Sequence, residues 1–157
     1  MPPSMRSMID SSQKTNSKGD TIMVMNLGMA KKMIQAAIKR VEEMNRLCSV
    51  AIVDDRGFLV ALYRMDHAPI PTVDIARDKA WTAATFRMPT SDVVKFGDAS
   101  SPGFGFNTQN WNDRLTTISG GLPIKNGDEV IGGIGVSGGT PDEDVAVCQA
   151  ALATLFA

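Results

Sequence analysis

Apolar residues recur at three- and four-residue intervals from Leu27 through Ala30, Ile34, Ala37, Ile38, Val41 and Met44. Lys31, Lys32, Lys39, Arg40, Glu42 and Glu43 fall largely outside that stripe, so the pattern predicts an amphipathic helix, with Asn26 placed to cap it. The period then shortens. Residues 48–53 and 58–63 are short β-rich runs joined by Asp54-Asp55-Arg56-Gly57, the punctuation of a hairpin. A second helix is predicted over 73–86, ending before Pro89, followed by a helical turn from Thr90 or Ser91 through Val94. Residues 97–113 show no periodicity, and an irregular segment of that length in a compact domain is usually functional or disordered. Strands are expected near 115–118, 122–125 and 129–136, with Asn126-Gly127-Asp128 as the turn between the last two. Thr140, Pro141 and Glu143 write a capping box for a final helix whose inward residues are expected to be Val145, Cys148, Leu152 and Leu155.

Hairpins dominate this order, which makes the class α+β: an antiparallel sheet of about five strands covered by helices. At 100° per residue the second helix has three faces. Val73, Ala76, Ala80 and Ala83 are small enough to lie close on a sheet. Ile75, Lys79, Thr82 and Phe86 mix polar and apolar groups, as at a pocket rim, and Asp74, Asp78, Trp81 and Thr85 point away from the core. Trp81 is therefore expected either under a loop or in a subunit interface.

Composition narrows the partners. The 157 residues suffice for one domain, taken as 25–157, with 1–24 a polar tail that is disordered or loosely docked. Lys plus Arg is 16 against 17 Asp plus Glu, so no net field favours nucleic acid. No apolar run approaches the roughly 20 residues of a membrane helix, and the tail lacks a signal-peptide core. Cys48 and Cys148 sit inside apolar patterns and read as buried free thiols; the expected location is cytoplasmic.

Several residues carry candidate chemistry. Gly133, Gly135 and Gly138 match a G-x-G-x-x-G pattern, but the chain ends too soon for the rest of a nucleotide-binding unit. Asp142, Glu143 and Asp144 would also repel a phosphate at the following helix N-terminus, leaving close approach of a helix or ligand as the reading of these glycines. His67 is the only histidine, so a multi-histidine metal site is excluded. It reads as a surface residue, as an axial haem ligand with Met65 as a second soft donor, or as an acid/base group oriented by Asp66. Arg64 and Lys79 suit a ligand carboxylate or simple salt bridges to Asp66, Asp74 or Asp78, and Phe104, Phe106 and Trp111 suit a lid over a planar ligand or an anchor of the loop to the core.

Val53-Asp54-Asp55-Arg56-Gly57, Arg64-Met65-Asp66, the run from Ile75 to Ala83, and the stretch from Gly120-Gly121-Leu122-Pro123-Ile124 through Gly132 to Gly139 together resemble the GlcG-like/HbpS-like haem-binding family. That family also includes the C-terminal domain of the propanediol-utilisation corrinoid adenosyltransferase. The resemblance covers roughly residues 25–157. It implies a profilin- or PAS-like fold, assembly into homodimers or larger oligomers, and haem, a related tetrapyrrole or no cofactor at all. It also implies a place beside catabolic enzymes. Relatives often read Arg-Met-Asp-Gly-Ala where this chain has His67 for the glycine. Two functions follow. One is a small-ligand-binding protein for haem, with His67 on the iron, Arg64 and Lys79 on the anionic groups, and Met65, Thr82, Phe86, Phe104, Phe106, Trp111, Gly120 and Gly121 around them. The other is a small cofactor-independent lyase or isomerase acting on a carboxylate-bearing intermediate, with His67 and Asp66 catalytic.

Overall fold

A computed structural model describes residues 13–15, 19, 21–105 and 112–156. Strands β1 (Gln13–Thr15) and β2 (Thr21–Met23) pair with each other inside the segment expected to be a tail. Helix α1 (Leu27–Glu43) starts where Asn26, in extended conformation, accepts a hydrogen bond from Met29 N–H at 2.9 Å. It buries Ala30, Met33, Ile34, Ala37 and Val41, so Met33 takes an inward place while Leu27 is left exposed. Strands β3 (Ser49–Asp54) and β4 (Leu59–Arg64) form the first hairpin; in its turn the Asp54 carboxylate accepts from Arg56 and Phe58 N–H.

Helix α2 (Thr72–Phe86) follows, then a 3-10 helix (Thr90–Gly97) that runs three residues beyond the expected turn. Strands β5 (Gly121–Asn126) and β6 (Glu129–Ser137) make the second hairpin, and α3 (Pro141–Leu152) closes the chain. Its capping box is complete: Thr140 Oγ1 accepts from Glu143 N–H and the Glu143 carboxylate accepts from Thr140 N–H.

The sheet is antiparallel throughout, in the order β4–β3–β6–β5. It has four strands rather than about five. Residues 115–118 form no strand because side chains take their backbone groups: Thr82 Oγ1 accepts from Thr116 N–H, and Thr90 Oγ1 donates to Ile118 O. Alternation then sorts the two faces. Val50, Ile52, Ile134 and Val136 pack with α1 and α3, whereas Ala51 and Val53 pack with Ala76, Ala80 and Ala84 of α2.

Helix α2 lies unusually deep because β6 has no side chains beneath it. A Cβ added at Gly133 would meet the carbonyl oxygen of Ala80, and one at Gly135 that of Ala76. The G-x-G-x-x-G match is therefore a seat for a helix. In α3 the inward stripe is Asp144, Val147, Cys148 and Ala151, so only Cys148 of the expected set is fully inside, and Val145, Leu152 and Leu155 are half-buried. The helix is rotated because Asp144 turns inward to meet a buried cation.

Candidate functional site

The turn after β4 carries the chain's only histidine. Met65 N–H donates to Cys48 O, Ala68 N–H to Met65 O, and Arg64 Nη1 to Ala68 O at 3.1 Å. Below it, Thr72 Oγ1 donates to Pro69 O at 2.6 Å, so the Ser49 hydroxyl, 2.8 Å from Thr72 Oγ1, is the donor of that pair. These bonds hold His67 at φ 66, the left-handed region that glycine enters at little cost and a branched or bulky residue does not. The imidazole is exposed, and among the described residues nothing hydrogen-bonds to it. Arg64 and Asp66 are exposed beside it, with no hydrogen bond recorded between Asp66 and His67. Ile70, three residues on, is 83% exposed, so the turn also presents an apolar side chain. Met65 faces the other way, packed against the core.

Lys79 has a different setting. It is 2% exposed, and its ammonium donates to Val136 O at 2.8 Å and to Asp144 Oδ2 at 2.9 Å. The other Asp144 oxygen accepts from Gly139 N–H at 2.9 Å. Burial pushes the Asp144 carboxyl above the usual aspartate range, against the downward pull of the Lys79 hydrogen bond and charge. Gly120 fits against this pair: a Cβ there would stand 2.8 Å from Lys79 Nζ and 2.7 Å from Asp144 Cβ. Gly121 fits against the Lys79 backbone and Thr90, and its N–H donates to Thr90 Oγ1. Thr82, fully buried, ties down Arg114 O and Thr116 N–H. Lys79, Thr82, Gly120 and Gly121 thus form an internal polar seam, and the expected pairing of Arg64 with Lys79 as anion holders is split between surface and interior.

The expected lid is split as well. Phe86 packs its ring 6.0 Å from that of Phe96, and Phe104 is held near them through Gly105 N–H donating to Phe96 O. His67 lies five residues before α2 and Phe86 ends it, so the two sit at opposite ends of a helix roughly 20 Å long. Phe106 and Trp111 lie outside the described residues. Trp81 is covered by the first hairpin, where a Cβ on Gly57 would stand 2.5 Å from its ring.

Both thiols are free and buried; burial pushes Cys48 up to about 11 and Cys148 further. Among the described residues no group of three or more His, Cys, Asp and Glu side chains stands ready for a metal ion, and no helix is long and apolar enough to cross a membrane. The residue that pattern reading missed is Asp144. Its signal was an acid at the three- and four-residue spacing from Val147 and Cys148 that marks an inward position.

Comparison with known proteins bears on this geometry. A family model described as haem degrading protein HbpS-like matches residues 25–153. A 15.0 kDa protein of Citrobacter freundii, described by its place between dhaT and dhaS, is 36% identical over 138 residues, 86% of this chain and 94% of that one. Among solved structures, Klebsiella pneumoniae protein ORFY superposes with a TM-score of 0.77 at 30% identity, covering 89% of this chain and 96% of its own. A PduOC:heme complex superposes with a TM-score of 0.76 at 25% identity, covering 83% and 94%. A model spanning nearly all of the described domain and relatives matched over almost their full length lead to one conclusion: this chain belongs to the HbpS-like family.

Proposed function

We propose that this protein binds haem or a closely related tetrapyrrole at the turn after β4. The observation that carries the reading is an exposed imidazole, free of hydrogen bonds among the described residues, on a backbone fixed by four hydrogen bonds. Such a donor needs no rearrangement to meet an iron, which lowers the ordering cost of binding. The residues present fit the group. His67 offers nitrogen, Arg64 offers a cation to carboxylate side chains, and Ile70 offers an apolar side chain to a flat ring. When bound, haem would supply the redox and ligand-exchange chemistry of its iron; the chain's part is to hold and shield it. The solved haem complex of a relative in the same family supports this reading, as does the family's description as haem degrading. Service beside a catabolic pathway, which the family resemblance implies, belongs to the same reading.

Lys79, Thr82, Gly120 and Gly121 have no direct part in this reading, since Lys79 and Thr82 are buried and the two glycines pack against Lys79, Asp144 and Thr90. Haemin titration followed in the Soret region tests the proposal. Wild type is expected to give a sharp, saturable shift at micromolar haemin, and His67→Ala to weaken it at least tenfold with an unchanged circular-dichroism melt. Equal titrations for the two proteins would end the assignment.

A further inference from the structure

We propose that the tetrapyrrole site is shared: two copies of the chain close on one haem, each presenting its His67 turn to one face. This rests on the reading above and extends it.

The argument begins with which donors are accessible. Both cysteines are buried, and Met23, Met25, Met29, Met33, Met44, Met65 and Met88 are buried or half-buried. His67 is therefore the only exposed histidine, methionine or cysteine among the described residues. A haem iron has two axial positions, and one chain has a single imidazole for them. Met65, the nearest second donor in sequence, is turned into the core by the Met65 N–H bond to Cys48 O and its packing there.

Shielding gives the same answer. A planar macrocycle has two apolar faces, and binding sites commonly cover about 70–90% of a small ligand's surface. Here Ile70, 83% exposed, and His67, also exposed, stand on one open turn, which by itself can cover one face only. Of the aromatic residues expected over the other face, Phe86 and Phe104 sit at the far end of α2, and Phe106 and Trp111 lie outside the described residues. A second copy brings an identical patch. A two-fold axis places the same residues on both sides of whatever lies on it, the commonest geometry of soluble homo-oligomers. Arg64 from each copy then flanks the same ring, one cation for each of two carboxylate side chains.

The test is a haemin titration of the full chain read three ways: the equivalence point, the spin state, and the mass of the loaded particle by light scattering. The shared site predicts a break at half an equivalent of haemin per chain. It also predicts a low-spin, six-coordinate spectrum and loaded particles with an even number of chains. His67→Gly, which keeps the backbone conformation, is expected to abolish the low-spin spectrum. Ile70→Glu, which removes no iron ligand, is expected to weaken binding at least tenfold by placing two like charges in the contact. A break at one equivalent per chain would overturn the shared site while leaving haem binding at His67 intact. No Soret shift in wild type would overturn both. A half-equivalent break that survives His67→Gly with its low-spin spectrum would also overturn it, because the imidazole would not be the ligand.

Discussion

The Lys79 seam and the His67 turn lie at the same end of the sheet, yet they treat charge in opposite ways. Arg64 pairs with Ser49, and Ser49 with Ser137, so two strand spacings of about 4.8 Å separate the turn from the strand whose Val136 carbonyl holds Lys79. On one side a cation is buried and answered by a carboxylate, a carbonyl and close-fitting glycines. On the other, a cation and an imidazole stand in solvent on a turn held by Met65 N–H on Cys48 O and by bonds within residues 64–72. The difference teaches that a charged residue between two elements is structural when the fold supplies its counter-ion and polar contacts. It becomes a candidate for ligand binding when the fold fixes its backbone and leaves its side chain open.

The comparison breaks most readily where the helix seat is filled. Gly135→Val would drive a side chain into the Ala76 carbonyl, and overpacking of this kind costs on the order of 3 kcal/mol or more. The expected result is loss of the cooperative thermal transition in circular dichroism; a melt like wild type would mean that α2 does not rest on β6 as described. Next comes the seam. Lys79→Met leaves Asp144 buried without its counter-ion and is expected to cost about 3–5 kcal/mol in urea unfolding. Lys79→Met combined with Asp144→Leu should recover most of that, since a buried pair can be replaced by apolar groups of similar volume. If the single variant unfolds at the wild-type midpoint, the seam has no structural role.

The turn should respond with the opposite sign. His67→Gly relieves a left-handed backbone costing about 1–2 kcal/mol, less the chain entropy of glycine, so a gain of up to about 1 kcal/mol is expected alongside the loss of haemin affinity. A destabilised His67→Gly would show that the imidazole belongs to the fold after all. The smallest effect concerns the thiols. With Cys48 at about 11, its thiolate fraction near neutral pH is roughly a hundredfold below that of an ordinary thiol. Iodoacetamide should therefore label neither cysteine in the native protein and both in denaturant. Labelling of either in the native state would place a thiol at the surface and add a competing haem donor.

Much of the fold was legible because its signals are local. The Asn26 cap, the Asp54–Gly57 turn and the Thr140–Glu143 box each settle within four residues, and all three occur as the pattern required. The alanine face of α2 was legible for the same reason. The site was legible only in part. That Arg64 and His67 share the turn after β4 follows from their place in the chain, but the side chains grouped with them divide among a surface turn, a buried seam and an aromatic cluster at the far end of α2. Residues 115–118 show the limit of local reading: a short run bounded by Leu115 and Ile118 became an irregular segment because Thr82 and Thr90, more than twenty residues earlier, claimed its backbone.

What the amino-acid order determined by itself is the set of elements, their ends and the α+β class, since caps, turns and periods act between neighbours along the chain. What only the tertiary structure decided is the meaning of each charge. Whether a lysine binds a ligand or holds a fold together depends on its distance to a carboxylate 65 residues away, a quantity no local pattern contains. The same packing that buried Lys79 left His67 outside, a division made in three dimensions.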